Sequence, residues 1–449
     1  MKYENWSLGY WLLKQYVQFI NWLIIKSTIV IGKDKIPGNK PIVFAPNHQN
    51  ALSDPMVVLL NTHLQPVWLA RADIFGKNKV IDAILRFLKI VPVYRLRDGK
   101  ENLDKNQETF AISIKVLENN SALALFPEAA HTFKRHMAPH KKAVPRIVFM
   151  AEEQGANDLD IQIIPTGIYY SHYWKFNRSL IVNFGDPIPV ADYLPAYREN
   201  PNAATIELKK RIHDALLPLT LNIRSKNYYD TYEKIRELYG NHFLKQQNKK
   251  ITFLNRFYSD QQLVKSLYSI EKKHPEELQI IKDLTNKYYS LLNDHRIREW
   301  VTNKSVNHIN KLVRNILLLL VSLPVFTFGF LLNAIPYYFI DQIVRKKIKD
   351  QAFWSSFILA ASIIILPVYY LFLLLAMIPL AFSIWLKLTI VACLPFAGKL
   401  AFNWYILLRK TLGISRYLIL KHFKRKEFET LHDSKKVLFE KLNTLIHLH

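Results

Sequence analysis

Over residues 28–220, short apolar runs alternate with stretches of helical period. The runs at 41–45, 66–70, 90–94, 122–126, 161–168 and 180–184 predict strands. Apolar positions three and four apart predict helices at 55–60, 79–88, 107–118 and 141–153, with a closing helix at 204–218. Strands interleaved with helices imply an α/β architecture, a sheet flanked by helices. Residues 222–314 change character. Tyr, Leu and Ile recur there at helical intervals, with Gly240 and Pro275 as breakers, so this stretch predicts a helical region.

The longest apolar runs come later. Residues 316–340 are 25 positions without a charge, 352–386 are 35 more, and 388–398 follow Lys387. About 20 apolar residues cross a bilayer core, so these runs predict membrane-embedded helices. Pro379 near the middle of 352–398 suggests a hairpin, and Pro324, Gly329, Asn333 and Pro336 could bend the first run. Every flank is basic: Lys311 and Arg314 before, Arg345, Lys346, Lys347 and Lys349 between, Arg409 and Lys410 after. Positive flanks favour the cytoplasmic face, and the α/β domain is expected on that side. The number of crossings stays open. Near the N-terminus, Trp6, Tyr10, Trp11, Tyr16, Phe19 and Trp22 predict a helix in the membrane interface, where such rings are favoured. Lys14, Gln15, Gln18 and Asn21 argue against a cleaved signal peptide.

This patterning divides the chain into an interfacial helix at 1–27, an α/β domain at 28–221, a basic helical region at 222–314, membrane-embedded segments at 315–400 and a basic helical tail at 401–449. Charge sharpens the picture. Lys and Arg number 61 against 36 Asp and Glu, a net charge of +25, which predicts an anionic partner. No nucleic-acid motif accompanies it, and anionic membrane lipids account for the excess. Cys393 is alone, so no disulfide framework exists within the chain.

Residues 45–55 read Ala-Pro-Asn-His-Gln-Asn-Ala-Leu-Ser-Asp-Pro, after one predicted strand and before one predicted helix. His48 there suits a general base near neutral pH. Asp54 is close enough to accept the other ring N–H and fix the tautomer, as in a triad without its serine. The plain alternative is an Asp helix cap beside a polar loop histidine. Other strand ends add to the dyad. Residues 90–95 end in Arg95, and 125–128 read Leu-Phe-Pro-Glu before a loop carrying His131, Lys134, Arg135, His136, His140, Lys141 and Lys142. A base, an arginine, a carboxylate and a basic loop suit a phosphorylated, hydroxyl-bearing substrate. The spacing of His131, His136 and His140, beside several cations, does not suit a metal site.

Four blocks in this order, around His48, Arg95, Glu128 and Pro165, resemble those of the phospholipid/glycerol acyltransferase family, which includes the 1-acyl-glycerol-3-phosphate acyltransferases. The family's first block is Asn-His, four residues, then Asp. Its second ends in Arg, its third begins Phe-Pro-Glu-Gly, and its fourth centres on Pro. The likeness covers about residues 28–195, including Asn183-Phe184-Gly185-Asp186-Pro187-Ile188. It implies a glycerolipid acyltransferase-like mixed sheet and a fatty acyl transfer from a thioester to a hydroxyl of glycerol-3-phosphate or its 1-acyl form. His48 would deprotonate that hydroxyl and Asp54 would orient His48. Arg95 would bind the acceptor phosphate. Asn47, Phe126, Pro127 and Glu128 would shape the acceptor site, and Pro165 the acyl side. Acyl-CoA or acyl-carrier protein would be co-substrate, and neither a metal nor a bound cofactor is implied.

The chain departs from that pattern in three places. Five residues, not four, separate His48 from Asp54, a longer spacing that resembles some fungal-type glycerol-3-phosphate acyltransferases. Ala129 replaces the third-block Gly; a left-handed Gly does not become Ala cheaply, so a different turn is expected. His131 stands where the family has Arg, which would shift phosphate binding toward Arg95, Lys134, Arg135, Lys141 or Lys142. These departures keep open a lyso-aminolipid or lysophospholipid acceptor, and a non-catalytic membrane scaffold.

Overall fold

A computed structural model describes residues 2–94, 106–155, 159–173, 175–303 and 307–447. It divides into two compact units, one of residues 1–222 and 344–363 and one of residues 223–343 and 364–449.

In the first unit, helix α1 (Leu8–Ile24) precedes β1 (Ser27–Ile31), and β2 (Ile42–Pro46) leads to α2 (Ser53–Asn61) and β3 (Val67–Arg71). Then come α3 (Lys79–Phe87), β4 (Ile90–Val93), α4 (Asn106–Glu118), β5 (Ala122–Ala124), α5 (Ala143–Gln154), β6 (Gln162–Tyr170), β7 (Ser179–Phe184) and β8 (Ile188–Pro189). Helices α6 (Leu194–Glu199) and α7 (Pro201–Leu216) close it. All six expected strands form; β1 and β8 are additional.

Among the described residues the sheet has eight strands in the order β1-β7-β6-β2-β5-β3-β4, with β8 also on β6. Strands β2, β5, β3 and β4 are mutually parallel, and β6 runs parallel to β2. Strands β7 and β8 pair antiparallel with β6, and β1 runs parallel to β7. Every residue of β2 and β6 is buried, as expected for central strands covered on both faces. Pro165 fits in β6 because it stands between the β8 pairing, at Gln162 and Ile163, and the β7 pairing, which begins at Thr166. One core packs Val43, Leu123, Ile147 and Leu208 beneath α5 and α7; a second packs Phe44, Val58, Trp68 and Phe184 on the opposite face.

Helix α1 has two working faces. Tyr10, Val17 and Ile20 are buried, and Lys14 Nζ donates to the carbonyls of Thr62 and Leu64 at 2.6 and 3.0 Å. Burial pushes that ammonium down to about 8. Trp6, Trp11, Leu12 and Trp22 remain exposed, so an outward apolar face accompanies the packed one.

The second unit is helical: α8 (Tyr229–Gln246), α9 (Phe253–Lys273), α10 (Pro275–Asp294), α11 (His308–Val321), α12 (Leu323–Lys347), α13 (Trp354–Ala376), α14 (Ile384–Phe423) and α15 (Arg425–His447), with the ends of α12 and α13 reaching into the first unit. Tyr232, Tyr239, Tyr288 and Leu438 are fully buried in it. Part of the basic charge of residues 222–314 is internal: Arg236 and Arg256 both pair with buried Asp260.

The uncharged run at 316–340 is split, with α11 ending at Val321 and α12 starting at Leu323. Among the described residues α12, α13 and α14 are long and apolar enough to cross a membrane. Pro379 falls between α13 and α14, and α14 continues unbroken through residues 400 and 401. A Cβ at Gly329 would collide with the Ala397 backbone of α14, so glycine permits the close approach of the helices. Asn333 locks that contact: its amide donates to the Leu394 carbonyl at 3.2 Å and accepts from Tyr370 at 2.8 Å.

Candidate active site

The parallel strands deliver their carboxyl ends to one edge of the sheet, the usual position for a site in such folds. At the end of β2, Asn47 N–H donates to Thr166 on β6, which carries the strand register into the next loop. His48 follows. The loop then folds back through Ala51, whose φ of 43° lies in the left-handed region. This kink takes up the fifth intervening residue, and Asp54 returns in the first turn of α2 to face the imidazole.

His48 Nδ1 lies 2.9 Å from Asp54 Oδ2. Asp54 is wholly buried, whereas the His48 side chain keeps 15% of its exposure. A carboxylate only accepts, so Nδ1 carries the proton and Nε2 presents a lone pair. Asp54 Oδ2 also accepts the backbone N–H groups of Gln49 and Asn50, each at 2.7 Å. Its Oδ1 accepts the Tyr170 hydroxyl at 2.8 Å. Four donors thus fix the carboxylate in one orientation. Burial and the Asp54 charge push the Tyr170 phenol well above its ordinary range, so it remains a donor.

A second carboxyl braces the same loop from the end of β5. Glu128 Oε1 accepts His48 N–H at 2.8 Å, and Oε2 accepts Ala138 N–H at 2.6 Å. Burial pushes Glu128 up to about 8, against the two backbone bonds, which favour the ionised form. The Phe126 ring stacks on His48 with centroids 4.0 Å apart and 19° between planes, and Trp68 backs Phe126. The His131 ring lies 5.6 Å from that of His48. Burial, aided by His48, lowers its pKa, so His131 is no replacement for a permanent cation.

Ala129 has a φ of 57°. The expectation of a different turn is therefore corrected: the left-handed conformation persists with an alanine in it, at a cost of about 1 kcal/mol.

His48, Asp54, Phe126, Glu128 and His131 are thus brought together. Asn47 is fully buried, and its carboxamide is used inside the fold, accepting Ile168 N–H at 2.6 Å and donating to the Ile168 carbonyl and Thr220. Pro127 is buried, and its carbonyl accepts Lys141 N–H at 2.7 Å. Pro165 lies in β6 opposite Ala45. Lys141 is exposed and Lys142 half-buried just before α5. Arg95 lies outside the described residues. Arg135 is buried, and its guanidinium donates to the carbonyls of Tyr170 and Ser171 at 2.8 and 3.1 Å, which takes it out of the phosphate candidates. No group of three or more metal-ligating side chains occurs among the described residues.

Sequence reasoning missed Tyr170 and Arg178. The Arg178 guanidinium stacks on Tyr170 at 5.1 Å and reaches Ser53 Oγ at 3.4 Å. Tyr170 closes an apolar run 116 positions from Asp54, and no local pattern marks it as a donor.

Residues 27–169 match the family described as Acyltransferase. The chain is 27% identical over 200 residues to Glycerol-3-phosphate O-acyltransferase 1 of Saccharomyces cerevisiae, covering 42% of this chain and 25% of that protein. It is 26% identical over 140 residues to Glycerol-3-phosphate O-acyltransferase 2 of the same yeast, covering 31% of this chain and 19% of that protein. Among solved structures, the 1-acyl-sn-glycerophosphate (LPA) acyltransferase of Thermotoga maritima matches 46% of this chain and 78% of its own at 16% identity and a TM-score of 0.34. The chain spans a quarter or less of the length of the two yeast relatives.

Proposed function

We propose, from the acyltransferase family membership of residues 27–169, that this chain is a membrane-bound glycerolipid O-acyltransferase. It transfers a fatty acyl group from a thioester of coenzyme A or acyl-carrier protein to a hydroxyl of glycerol-3-phosphate or its 1-acyl form. His48 Nε2 takes the proton of that hydroxyl. The alkoxide oxygen attacks the thioester carbonyl carbon, the C–S bond breaks, and the imidazolium returns the proton to the leaving thiolate. Asp54 holds the ring and balances its positive charge in the transition state. The observation that carries the reading is the 2.9 Å contact between His48 Nδ1 and a carboxylate fixed by three further donors.

Arg95, Lys141 and Lys142 are proposed to meet the acceptor phosphate, with Asn47, Phe126, Pro127, Glu128 and His131 shaping the acceptor side and Pro165 the acyl side. Helices α12–α14 are proposed to be membrane-embedded, with the catalytic unit at the cytoplasmic face, against anionic lipids; three full crossings would leave one of the three basic flanks on the other side. Purified wild type and His48→Ala are compared in an acyl-transfer assay on glycerol-3-phosphate and on its 1-acyl derivative. The variant is expected to lose on the order of 10³-fold in rate, and full activity would reject the base.

A lyso-aminolipid or lysophospholipid acceptor is a second reading. Two observations favour it: His131 is pushed toward its neutral form, and Arg135 is engaged internally. Product from a lyso-aminolipid, with none from glycerol-3-phosphate or its 1-acyl form, would select it.

A further inference from the structure

The segment 344–363 lies far beyond the family-matched residues and runs from the basic flank at 345–349 into the uncharged stretch that begins at 352, yet it belongs to the catalytic unit. The first turn of α13 is joined to the catalytic loop by hydroxyls. Ser53 Oγ, next to Asp54, lies 3.1 Å from Ser355 Oγ and 3.2 Å from Ser356 Oγ. Ser355 Oγ also donates to Asn50 Oδ1 at 3.4 Å. Just before that turn, the Phe353 ring meets His131 edge to face, with centroids 4.8 Å apart and 86° between planes. His131 in turn faces His48. Phe357, one helical turn on, stands 6.3 Å from Phe353 and is 39% exposed.

An aromatic line therefore runs from the base outward: His48, His131, Phe353, Phe357. Its polar end is at the reacting centre and its far end is apolar and open. We infer that Phe353 is a specificity-determining wall of this site, lying against the hydrocarbon tail of the acyl thioester. The donor is the occupant because it carries a tail whichever acceptor is used. The serine contacts fix the wall's position relative to His48, so a change in side-chain volume at Phe353 alters the space open to the chain.

The inference rests on the acyl-transfer reading, and its test separates the two. With tailless glycerol-3-phosphate as acceptor, kcat/KM is measured for decanoyl-, palmitoyl- and stearoyl-CoA. Phe353→Trp is expected to lower the palmitoyl-to-decanoyl ratio about tenfold, and Phe353→Ala to raise the stearoyl-to-palmitoyl ratio by a similar factor. Ratios unmoved in both variants would overturn the inference. A second arm needs no turnover. Phe353→Cys, made in a Cys393→Ser background, is labelled with a small thiol reagent. Palmitoyl-CoA is expected to slow labelling and free coenzyme A to leave it unchanged. Labelling indifferent to palmitoyl-CoA overturns the wall even in an active enzyme. Protection without transfer of any acyl group sinks the acyl-transfer reading and leaves the wall standing.

Discussion

Asp54 in the first unit and Asp260 in the second are both completely buried, and each accepts short hydrogen bonds on both oxygens. Asp260 is held by two arginines, Arg236 at 2.7 Å and Arg256 at 2.6 Å. Neither guanidinium gives up its proton, so nothing can be passed along that contact. Gly240 belongs to the same device, because a Cβ there would strike the Arg256 guanidinium. Asp54 is held instead by two backbone amides, a phenol and an imidazole. The imidazole is the one partner with a second ring nitrogen free of that carboxylate, and it keeps some exposure. Burial alone therefore does not distinguish the two carboxylates; the chemistry and access of their partners do.

Exchanging each carboxylate for its amide gives the widest separation. Asp54→Asn is expected to lower kcat on the order of 10³-fold, about 4 kcal/mol in the barrier, with the chain still folded. Asp260→Asn takes the buried carboxylate from two half-buried guanidinium groups and is expected to lower stability by about 3 kcal/mol, with unchanged turnover per folded molecule. Acyl-transfer rates and denaturant titrations of both variants check this, and equal behaviour would erase the distinction.

Glu128 sharpens the contrast through pH. Its folded-state pKa is raised from 4.5 to about 8. Between those values the folded chain binds one more proton than the unfolded chain, so this group's stabilisation is full below about 4.5 and is lost as pH rises through 8. The loss is roughly 5 kcal/mol. Unfolding midpoints measured across that window should fall with pH in the wild type, and Glu128→Gln should remove that component of the slope.

Tyr170→Phe leaves Asp54 Oδ1 without its donor. About 2 kcal/mol of the barrier is the expected loss, a thirtyfold drop in kcat with little change in acceptor KM. In an Asp54→Asn background the same change should cost much less, because the pair acts as one unit. An undiminished loss in that background would detach Tyr170 from the dyad.

Ala129→Gly is the smallest change. It relieves a left-handed alanine but frees the unfolded chain, so stability should rise by about 0.5 kcal/mol. A thermal melt reads the sign.

Much of this was legible beforehand for one reason: the relevant signals are local. Six strands followed from short apolar runs. His48 and Asp54 stood out because six positions in a strand-to-helix loop can bring two side chains together. Strand β1 was missed because its run adjoins the apolar end of α1, where helical and strand periods merge. The turn at Ala129 was misjudged because steric cost argues against a conformation without forbidding it. Tyr170, Arg178 and the serines of α13 were invisible for a different reason. Each meets the catalytic loop across more than 100 positions, and no spacing rule spans that distance.

The sequence by itself determined the alternation of strands and helices, the excess of positive charge, the long apolar helices and the pairing of His48 with Asp54, because each is written in residues near one another along the chain. Only the tertiary structure decided which donors hold Asp54, which cations are used up inside the fold, and that a turn of an apolar helix borders the loop from His48 to Asp54. Those outcomes depend on which strands and helices become neighbours, and hydrogen bonds a few ångströms long form only after that arrangement exists.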